Sequence, residues 1–303
     1  MLQTHFLRIP FTNPLVLASG ILGVTGSSMK RVIDHGAGGV TIKSLSKQAR
    51  SGHQNPTMVG TDQYFLNAVG LSNPGIEEGV KEIKQYKTLT TAPLIGSIFA
   101  GTPNEFAEVA KIISQSPIDI LELDISCPNV STEFGDPFAY SQKAIDTITR
   151  KVKAVTDIPI SIKLSPNAWN ITALAKTAEE AGADAITAVN TVSGMAINIQ
   201  AKCPILHNKR GGISGPALFP IALKCVYDIY EAVDIPIIAT GGVTTGEDAL
   251  AMIMAGATLV GMGSAVYYRG TEVFGLVAQE MEACMRQEGI HSLEEIRGVA
   301  HNT

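Results

Sequence analysis

Chemically capable residues gather at the end of one apolar run, residues 121–129, which reads Leu-Glu-Leu-Asp-Ile-Ser-Cys-Pro-Asn. The run begins with the alternation of a buried strand, and it ends in Cys127, which a proline follows at once. A thiol at a strand end can act as a base, as a nucleophile, or as an inert buried group, which is the usual fate of a cysteine. No histidine lies near it in the sequence, so a base with the ordinary thiol pKa would work best at mildly alkaline pH.

Paired glycines predict a phosphate-bearing ligand. Thr240-Gly-Gly-Val and Gly261-Met-Gly-Ser each follow an apolar run and precede a helical segment. Glycine lets backbone N–H groups approach a phosphate closely, and the N-terminus of the following helix favours its charge. A single glycine is more often a simple cap, but two pairs after the last two strands point to flavin mononucleotide or a phosphorylated sugar.

Two lysines and three asparagines fall at the same predicted strand ends. Lys43 and Lys163 each end an apolar run, where an ammonium group either faces a polar pocket or extends to solvent. In a pocket, such cations stabilise negative charge on a reduced flavin or a bound anion. Asn67, Asn129 and Asn190 offer the donors and acceptor that a planar heterocycle needs, although each alone also suits a turn.

Alternating strands and helices must position these side chains. Apolar runs predict strands at residues 15–18, 39–43, 94–98, 118–125, 158–164, 185–190, 236–240 and 258–262. Amphipathic segments predict helices at residues 27–35, 75–87, 104–114, 138–156, 171–181, 220–233, 245–255 and 272–287. Eight such units without a break predict one domain over residues 1–303, a single (β/α)8 TIM barrel of parallel strands, with a doubly wound open sheet as the alternative.

Two connections exceed the usual loop length. Residues 44–74 and 191–217 both follow predicted strands, so both should lie over the C-terminal face of the barrel. We expect them to be substrate loops or lids, with variable surface decoration as the alternative.

Composition excludes several classes of function. The chain has 303 residues, 45% of them hydrophobic, and its net charge of −5 argues against nucleic-acid or membrane-surface partners. No apolar run approaches the ~18 residues of a spanning helix, and the N-terminus does not read as a signal peptide. The four cysteines are far apart, which predicts no metal site, no iron–sulfur cluster and no disulfide framework, and therefore a cytoplasmic location.

At this point the motifs carry a family resemblance: the chain resembles the class 1 dihydroorotate dehydrogenases. The matching pieces occur in family order over residues 18–264 and are Ala18-Ser-Gly, Lys43-Ser, Asn67-Ala-Val-Gly-Leu-Ser-Asn-Pro-Gly, Ile125-Ser-Cys-Pro-Asn, Lys163-Leu-Ser-Pro-Asn, Asn190-Thr, Gly211-Gly-Ile-Ser-Gly-Pro-Ala, Thr240-Gly-Gly-Val and Gly263-Ser.

The resemblance implies a flavin-containing barrel that oxidises dihydroorotate to orotate in pyrimidine synthesis. By resemblance, Cys127 removes the proton from C5 while C6 delivers a hydride to N5 of one FMN per chain. The implied pyrimidine contacts are Lys43, Asn67, Ala68, Val69, Gly70, Leu71, Asp124, Asn129, Asn190 and Thr191. The implied flavin and phosphate contacts are Ser19, Lys43, Ser44, Asp124, Lys163, Val189, Gly215, Gly241, Gly242, Gly263 and Ser264.

Details of the sequence are most similar to the NAD-linked subclass. A cysteine base, where the membrane-associated enzymes use serine, resembles the soluble class 1 enzymes. The segments Val189-Asn-Thr-Val-Ser-Gly and Ala265-Val-Tyr-Tyr-Arg-Gly resemble those of the NAD-linked enzymes. The resemblance therefore implies a dimer of catalytic chains that joins a second subunit carrying FAD and an iron–sulfur cluster, in a heterotetramer.

Three departures distinguish this chain from the family pattern. Asp124 replaces the usual asparagine, and a carboxylate there has no N–H to donate and would face the carboxylate of the substrate. Ser97 stands where relatives often carry a flavin-contacting asparagine, and the segment after Asn129 is shorter than usual. Two alternatives remain open: a flavoprotein acting on another dihydropyrimidine such as dihydrouracil, and a colourless phosphate-binding barrel.

Overall fold

The computed structural model describes residues 1–126 and 138–302. Within these residues, parallel strands form a closed barrel, and each strand pairs with the next in sequence. The last strand pairs in parallel with the first. The barrel strands are β1 (Leu15–Leu17), β2 (Gly39–Thr41), β3 (Leu94–Ile98), β4 (Ile120–Asp124), β5 (Ile160–Leu164), β6 (Ala185–Ala188), β7 (Ile237–Thr240) and β8 (Leu259–Met262). The predicted (β/α)8 barrel is confirmed, and the open-sheet alternative is wrong.

Helices follow the strands and cover the outside of the barrel. They are α1 (Gly26–Asp34), α2 (Ile76–Leu89), α3 (Pro103–Ile113), α4 (Gln142–Lys153), α5 (Ile171–Glu180), α6 (Phe219–Tyr230), α7 (Gly246–Met254), α8 (Ala265–Arg269) and α9 (Val273–Gln287). Side chains of Thr25, Thr102, Ser141 and Thr245 accept hydrogen bonds from backbone N–H groups in the first turns of α1, α3, α4 and α7.

Two helix predictions need correction. The helix expected over residues 138–156 is a 3-10 turn, Phe138–Tyr140, followed by α4, because Ser141 adopts an extended backbone and caps a new helix start. The five-residue helix α8, which follows the glycines after β8, was not predicted.

The barrel interior is divided into an apolar and a polar layer. Val16, Ile95, Ile120, Ala185, Ile238 and Leu259 form the apolar layer, and Phe6 and Phe11 of the N-terminal hairpin pack into the same cluster. Side chains two residues further along a strand face the same side. The next layer towards the C-terminal ends therefore contains Ser97, Glu122, Ser161 and Thr187, all fully buried or nearly so.

Residues of the two long loops, 44–74 and 191–217, form a small antiparallel sheet, which we name the capping sheet. Its strand order is Val192–Gly194, Gly211–Ser214, Phe65–Asn67 and Met58–Gly60. Two of its strands come from residues 44–74 and two from residues 191–217, so these connections are partly regular and pair with each other.

Among the described residues, no helix combines the length and apolar character that crossing a membrane requires.

Candidate active site

A cavity of about 770 Å³ lies between the C-terminal ends of the barrel strands and the capping sheet. All four strands of the capping sheet contribute lining residues, as do the ends of the barrel strands. The volume is within the range of small-molecule and cofactor sites. The location agrees with the general rule that barrel active sites form at this face.

The structure brings most of the predicted site residues to this cavity. Those that line it are Ser19, Lys43, Ser44, Asn67, Ala68, Val69, Gly70, Leu71, Asp124, Lys163, Val189, Asn190, Thr191, Gly241, Gly242, Gly263 and Ser264. Gly215 is not among the lining residues; it precedes the turn Pro216–Leu218, and a Cβ there would lie 2.7 Å from the Tyr268 hydroxyl oxygen. Cys127 and Asn129 lie outside the described residues. The ligand that each residue contacts stays a prediction.

A polar network connects residues in or just after five neighbouring barrel strands, and it extends from the cavity wall into the barrel interior. Lys163 Nζ donates to Ser19 Oγ at 2.8 Å and lies 3.5 Å from Glu122 Oε1. The hydroxyl of Ser97 donates to the same Glu122 oxygen at 3.0 Å and lies 2.9 Å from Ser44 Oγ. We call this chain, Ser19–Lys163–Glu122–Ser97–Ser44, the inner network.

Asp124 is held by donors from its own strand end and from the end of β6. Its Oδ1 accepts hydrogen bonds from Ser126 Oγ at 2.5 Å, from the Ser126 backbone N–H at 3.2 Å and from Asn190 Nδ2 at 3.3 Å. Asn190 Nδ2 also donates to Ser126 Oγ. Asp124 is 7% exposed and lines the cavity, so this carboxylate is fixed at the wall.

Amide side chains connect the loop after β6 to its surroundings. Asn190 Oδ1 accepts from the Thr191 backbone N–H at 2.7 Å. Asn167 Nδ2 donates to Thr191 O at 3.1 Å, and Asn167 Oδ1 accepts from the Ser193 N–H at 2.8 Å. Asn67 Nδ2 donates to Gly212 O at 3.4 Å across the capping sheet. These bonds orient the polar side chains of this loop, which lies close to the end of β4 through the bond from Asn190 to Asp124.

Glycines line the cavity at the ends of β7 and β8. Gly242 has a φ of 75°, and an added Cβ would lie 2.5 Å from the backbone nitrogen of Phe219, where α6 begins. Gly263 lines the cavity, and an added Cβ would contact Ala18 and Ile21 at ordinary distances of 3.6 and 3.7 Å, so a methyl group fits there without a clash. Backbone N–H groups near such glycines can approach a phosphate.

An ion pair anchors the loop after β7. Arg269 donates to Glu280 through both terminal nitrogens and to Thr244 O at 2.7 Å. Glu280 also accepts from the Gly246 N–H at 2.8 Å. The hydrogen bond from Arg269 lowers the pKa of Glu280, and the same bond raises the pKa of Arg269. Nearby, the Tyr268 hydroxyl is buried without a partner among the described residues, and burial raises its pKa.

Several lining or supporting residues were missed from the sequence. Glu122 sits inside an apolar run, and a charged residue there was a usable signal, because charges are rarely buried unpaired. Ser126, Asn167, Lys209 and Arg210 also line the cavity. Ser126 and Asn167 stand in the matched motifs Ile125-Ser-Cys-Pro-Asn and Lys163-Leu-Ser-Pro-Asn but were given no role. No sequence spacing pointed to Lys209 and Arg210, because their loop reaches the cavity through the tertiary fold.

Comparison with known proteins gives a consistent family match. A family model described as dihydroorotate dehydrogenase matches residues 1–285. The chain is 45% identical over 304 residues to the "Dihydroorotate dehydrogenase B (NAD(+)), catalytic subunit" of Methanocaldococcus jannaschii, covering 99% of this chain and 98% of that protein. Proteins with the same name from Methanosarcina mazei and Pyrococcus abyssi are 44% and 43% identical, covering 95% and 99% of this chain and 92% and 99% of their own lengths.

Proposed function

The chain belongs to the dihydroorotate dehydrogenase family, and from this premise we propose that it oxidises dihydroorotate to orotate in pyrimidine synthesis. The single observation that carries the proposal is the cavity, because it combines glycine-lined backbone, three lysines and several amide side chains in a member of this family. Relatives that cover nearly the whole chain carry the name of the NAD-linked enzyme, which supports an NAD-linked oxidoreductase.

We propose FMN as the resident cofactor, because the residues present fit it. Gly242 and Gly263 line the cavity with backbone that can approach a phosphate, and Lys43 and Lys163 reach the cavity from the ends of β2 and β5. When bound, the flavin supplies the acceptor for the hydride that leaves C6 of dihydroorotate.

The protein's own residues would divide the remaining work. We propose that Cys127 takes the C5 proton of dihydroorotate, while Asn67 and Asn190 hold the pyrimidine through its imide and carbonyl groups. Lys163 would stabilise the negative charge that develops during the transfer. Cys127 follows directly on Ser126, which lines the cavity beside Asp124, and this neighbourhood supports its role.

We propose that electrons pass from the flavin to NAD through a partner subunit. The names of the relatives describe a catalytic subunit and NAD(+), which implies a partner subunit. We propose that two catalytic chains dimerise and join two electron-transfer subunits, each with FAD and an iron–sulfur cluster, in the cytoplasm. Copurification with a tagged partner, followed by mass measurement of the intact complex, tests this assembly.

Anaerobic mixing tests the reaction itself. The flavin-loaded protein should lose its yellow absorbance on addition of dihydroorotate and should pass electrons to NAD when the partner is present. A protein that takes up flavin but is not bleached by dihydroorotate would refute the proposed substrate.

A second candidate rests on one observation, the Asp124 carboxylate at the cavity wall. A substrate without a carboxylate, such as dihydrouracil, would escape repulsion from Asp124. Faster bleaching by dihydrouracil than by dihydroorotate would favour this candidate.

A further inference from the structure

Glu122 is a charged side chain that the proposed reaction has not used. It lies in the middle of β4 and is 3% exposed, so its carboxylate has left water almost completely. Such burial is unfavourable by several kcal/mol per ion unless a partner charge and hydrogen bonds compensate. A carboxylate retained at this depth therefore needs its partners.

Those partners belong to the inner network. Glu122 Oε1 accepts from Ser97 Oγ at 3.0 Å and lies 3.5 Å from Lys163 Nζ, which is itself 5% exposed as a residue. The pairing of β4 with β5 sets Asp124 opposite Lys163 and Glu122 opposite Ser161, one layer deeper. The Lys163 side chain therefore contacts the Glu122 carboxylate, which lies deeper in the barrel, and also lines the cavity.

Donor geometry limits what Lys163 can offer to a ligand. An ammonium group has three N–H donors. Ser19 Oγ accepts one at 2.8 Å, and the Glu122 carboxylate attracts a second across 3.5 Å. These are its partners among residues 1–126 and 138–302, and they leave a third N–H that can donate to a molecule in the cavity that Lys163 lines.

We infer that Glu122 is a positioning residue that fixes the Lys163 ammonium at the cavity and reduces the positive field that this lysine exerts on the bound flavin. The inference rests on the proposed function, because it assumes that FMN occupies the cavity. A paired lysine stabilises added negative charge less than an unpaired one would. Glu122 thus keeps the midpoint potential of the flavin lower than Lys163 alone would set it.

Glu122→Gln is the decisive variant, since glutamine keeps the shape and can still accept from Ser97. Neutralising the carboxylate should raise the midpoint potential of the bound flavin, and the equilibrium constant for its reduction should increase roughly tenfold. A unit charge acting over ~10 Å at an effective dielectric constant of about 20 is worth about that factor. Anaerobic dye-linked reductive titration measures the potential without reference to turnover.

Ser161→Ala is the matched control. Ser161 lies in the same polar layer and bonds to Thr187 at 2.8 Å, outside the inner network, so its loss should leave the potential unchanged. Lys163→Met should lower the potential. Adding Glu122→Gln should still raise it through the direct charge effect, but by less than in the wild-type background, because the Lys163 ammonium is no longer there to be repositioned. A potential in Glu122→Gln that matches Ser161→Ala, or equal rises in both backgrounds, would overturn the inference.

The outcomes separate this inference from the proposed function. Wild-type protein that binds no FMN would refute the proposed function, whereas FMN-loaded wild type with an unshifted Glu122→Gln would refute the role of Glu122 alone. If Glu122→Gln does not fold, Glu122→Asp carries the test. It retracts the charge from Lys163 by one methylene and should give a smaller rise, while an unchanged potential would again contradict the inference.

Discussion

Replacing Asp124 with asparagine should improve the binding of a carboxylate-bearing ligand. In the structure, one oxygen of Asp124 accepts from Ser126 Oγ, the Ser126 N–H and Asn190 Nδ2 at 2.5, 3.2 and 3.3 Å. An asparagine carbonyl can accept the same three bonds, so Asp124→Asn removes the charge and leaves the geometry in place. The new amide N–H₂ then replaces the second oxygen at the cavity wall.

The magnitude follows from the charges. Two carboxylates ~6 Å apart at an effective dielectric constant of about 20 repel by roughly 3 kcal/mol. Nearby cations offset part of this repulsion, so we expect a net gain of ~1.4 kcal/mol, which is about tenfold in Kd. Bonds to a neutral acceptor are weaker than bonds to a carboxylate, and the folded protein should lose roughly 1 kcal/mol of unfolding free energy.

Orotate titration of the FMN-loaded protein, followed by the perturbed flavin spectrum, measures the affinity. Uracil is the matched ligand control, because it lacks the carboxylate and should bind both proteins equally well. Unchanged or weaker orotate binding in Asp124→Asn would refute the reasoning. An equal gain for uracil would show that shape, and not charge, caused the change.

Three other variants test separate parts of the site. Cys127→Ala should slow flavin reduction by dihydroorotate ~10²- to 10⁴-fold and leave FMN affinity unchanged, because it removes a general base; stopped-flow absorbance measures the rate, and wild-type kinetics would contradict the role. Gly263→Ala should fold normally yet raise the Kd for FMN roughly tenfold, because the methyl group displaces one charge-assisted backbone contact. Fluorescence titration measures the Kd and thermal unfolding measures the stability. A Kd equal to that of the wild type would count against a phosphate at this backbone. Glu280→Gln should lose about 1 kcal/mol of unfolding free energy at neutral pH, since it breaks the paired contact with Arg269. Because the pKa of Glu280 is lowered, the stabilisation from this ion pair is present above the ordinary carboxylate pKa and should fade below about pH 4. Glu282→Gln on the same helix is the control. Denaturant unfolding curves that show no difference between the two variants would contradict this expectation.

The barrel could be predicted because its strands are short apolar runs that a parallel sheet buries on both faces. Each of these strands can be recognised from its own residues, and the alternating order of strands and helices then limits the possible topologies. The capping sheet carried no comparable signal. Its strands are three or four residues long, and Asn67 and Gly212, which bond across it, are 145 residues apart. Which segments pair at that distance is decided by where the barrel places the two connections.

The site was predicted in its types of residue and incompletely in its contacts. Lysines at strand ends could be recognised because a buried ammonium group is unfavourable without a polar partner. The glycines could be recognised because two pairs follow the last two strands, where barrels bind phosphate. Glu122 also stood out as a charge inside an apolar run, but its partner could not be predicted, since the pairing with Lys163 depends on the register of β4 against β5. Ser97, read as a departure from the family pattern, has a structural role: it donates to Glu122 and contacts Ser44.

The charges around the cavity explain why an extra carboxylate is compatible with an anionic substrate. Among the described lining residues, Lys43, Lys163, Lys209 and Arg210 are cationic and Asp124 is the acidic one. Glu122 lies one layer deeper and pairs with Lys163, so its charge is already compensated. The remaining field at the cavity is therefore positive even with Asp124 ionised. Asp124 weakens the attraction for a carboxylate without reversing it, which is why we expect its replacement to change orotate binding about tenfold and not by several orders of magnitude.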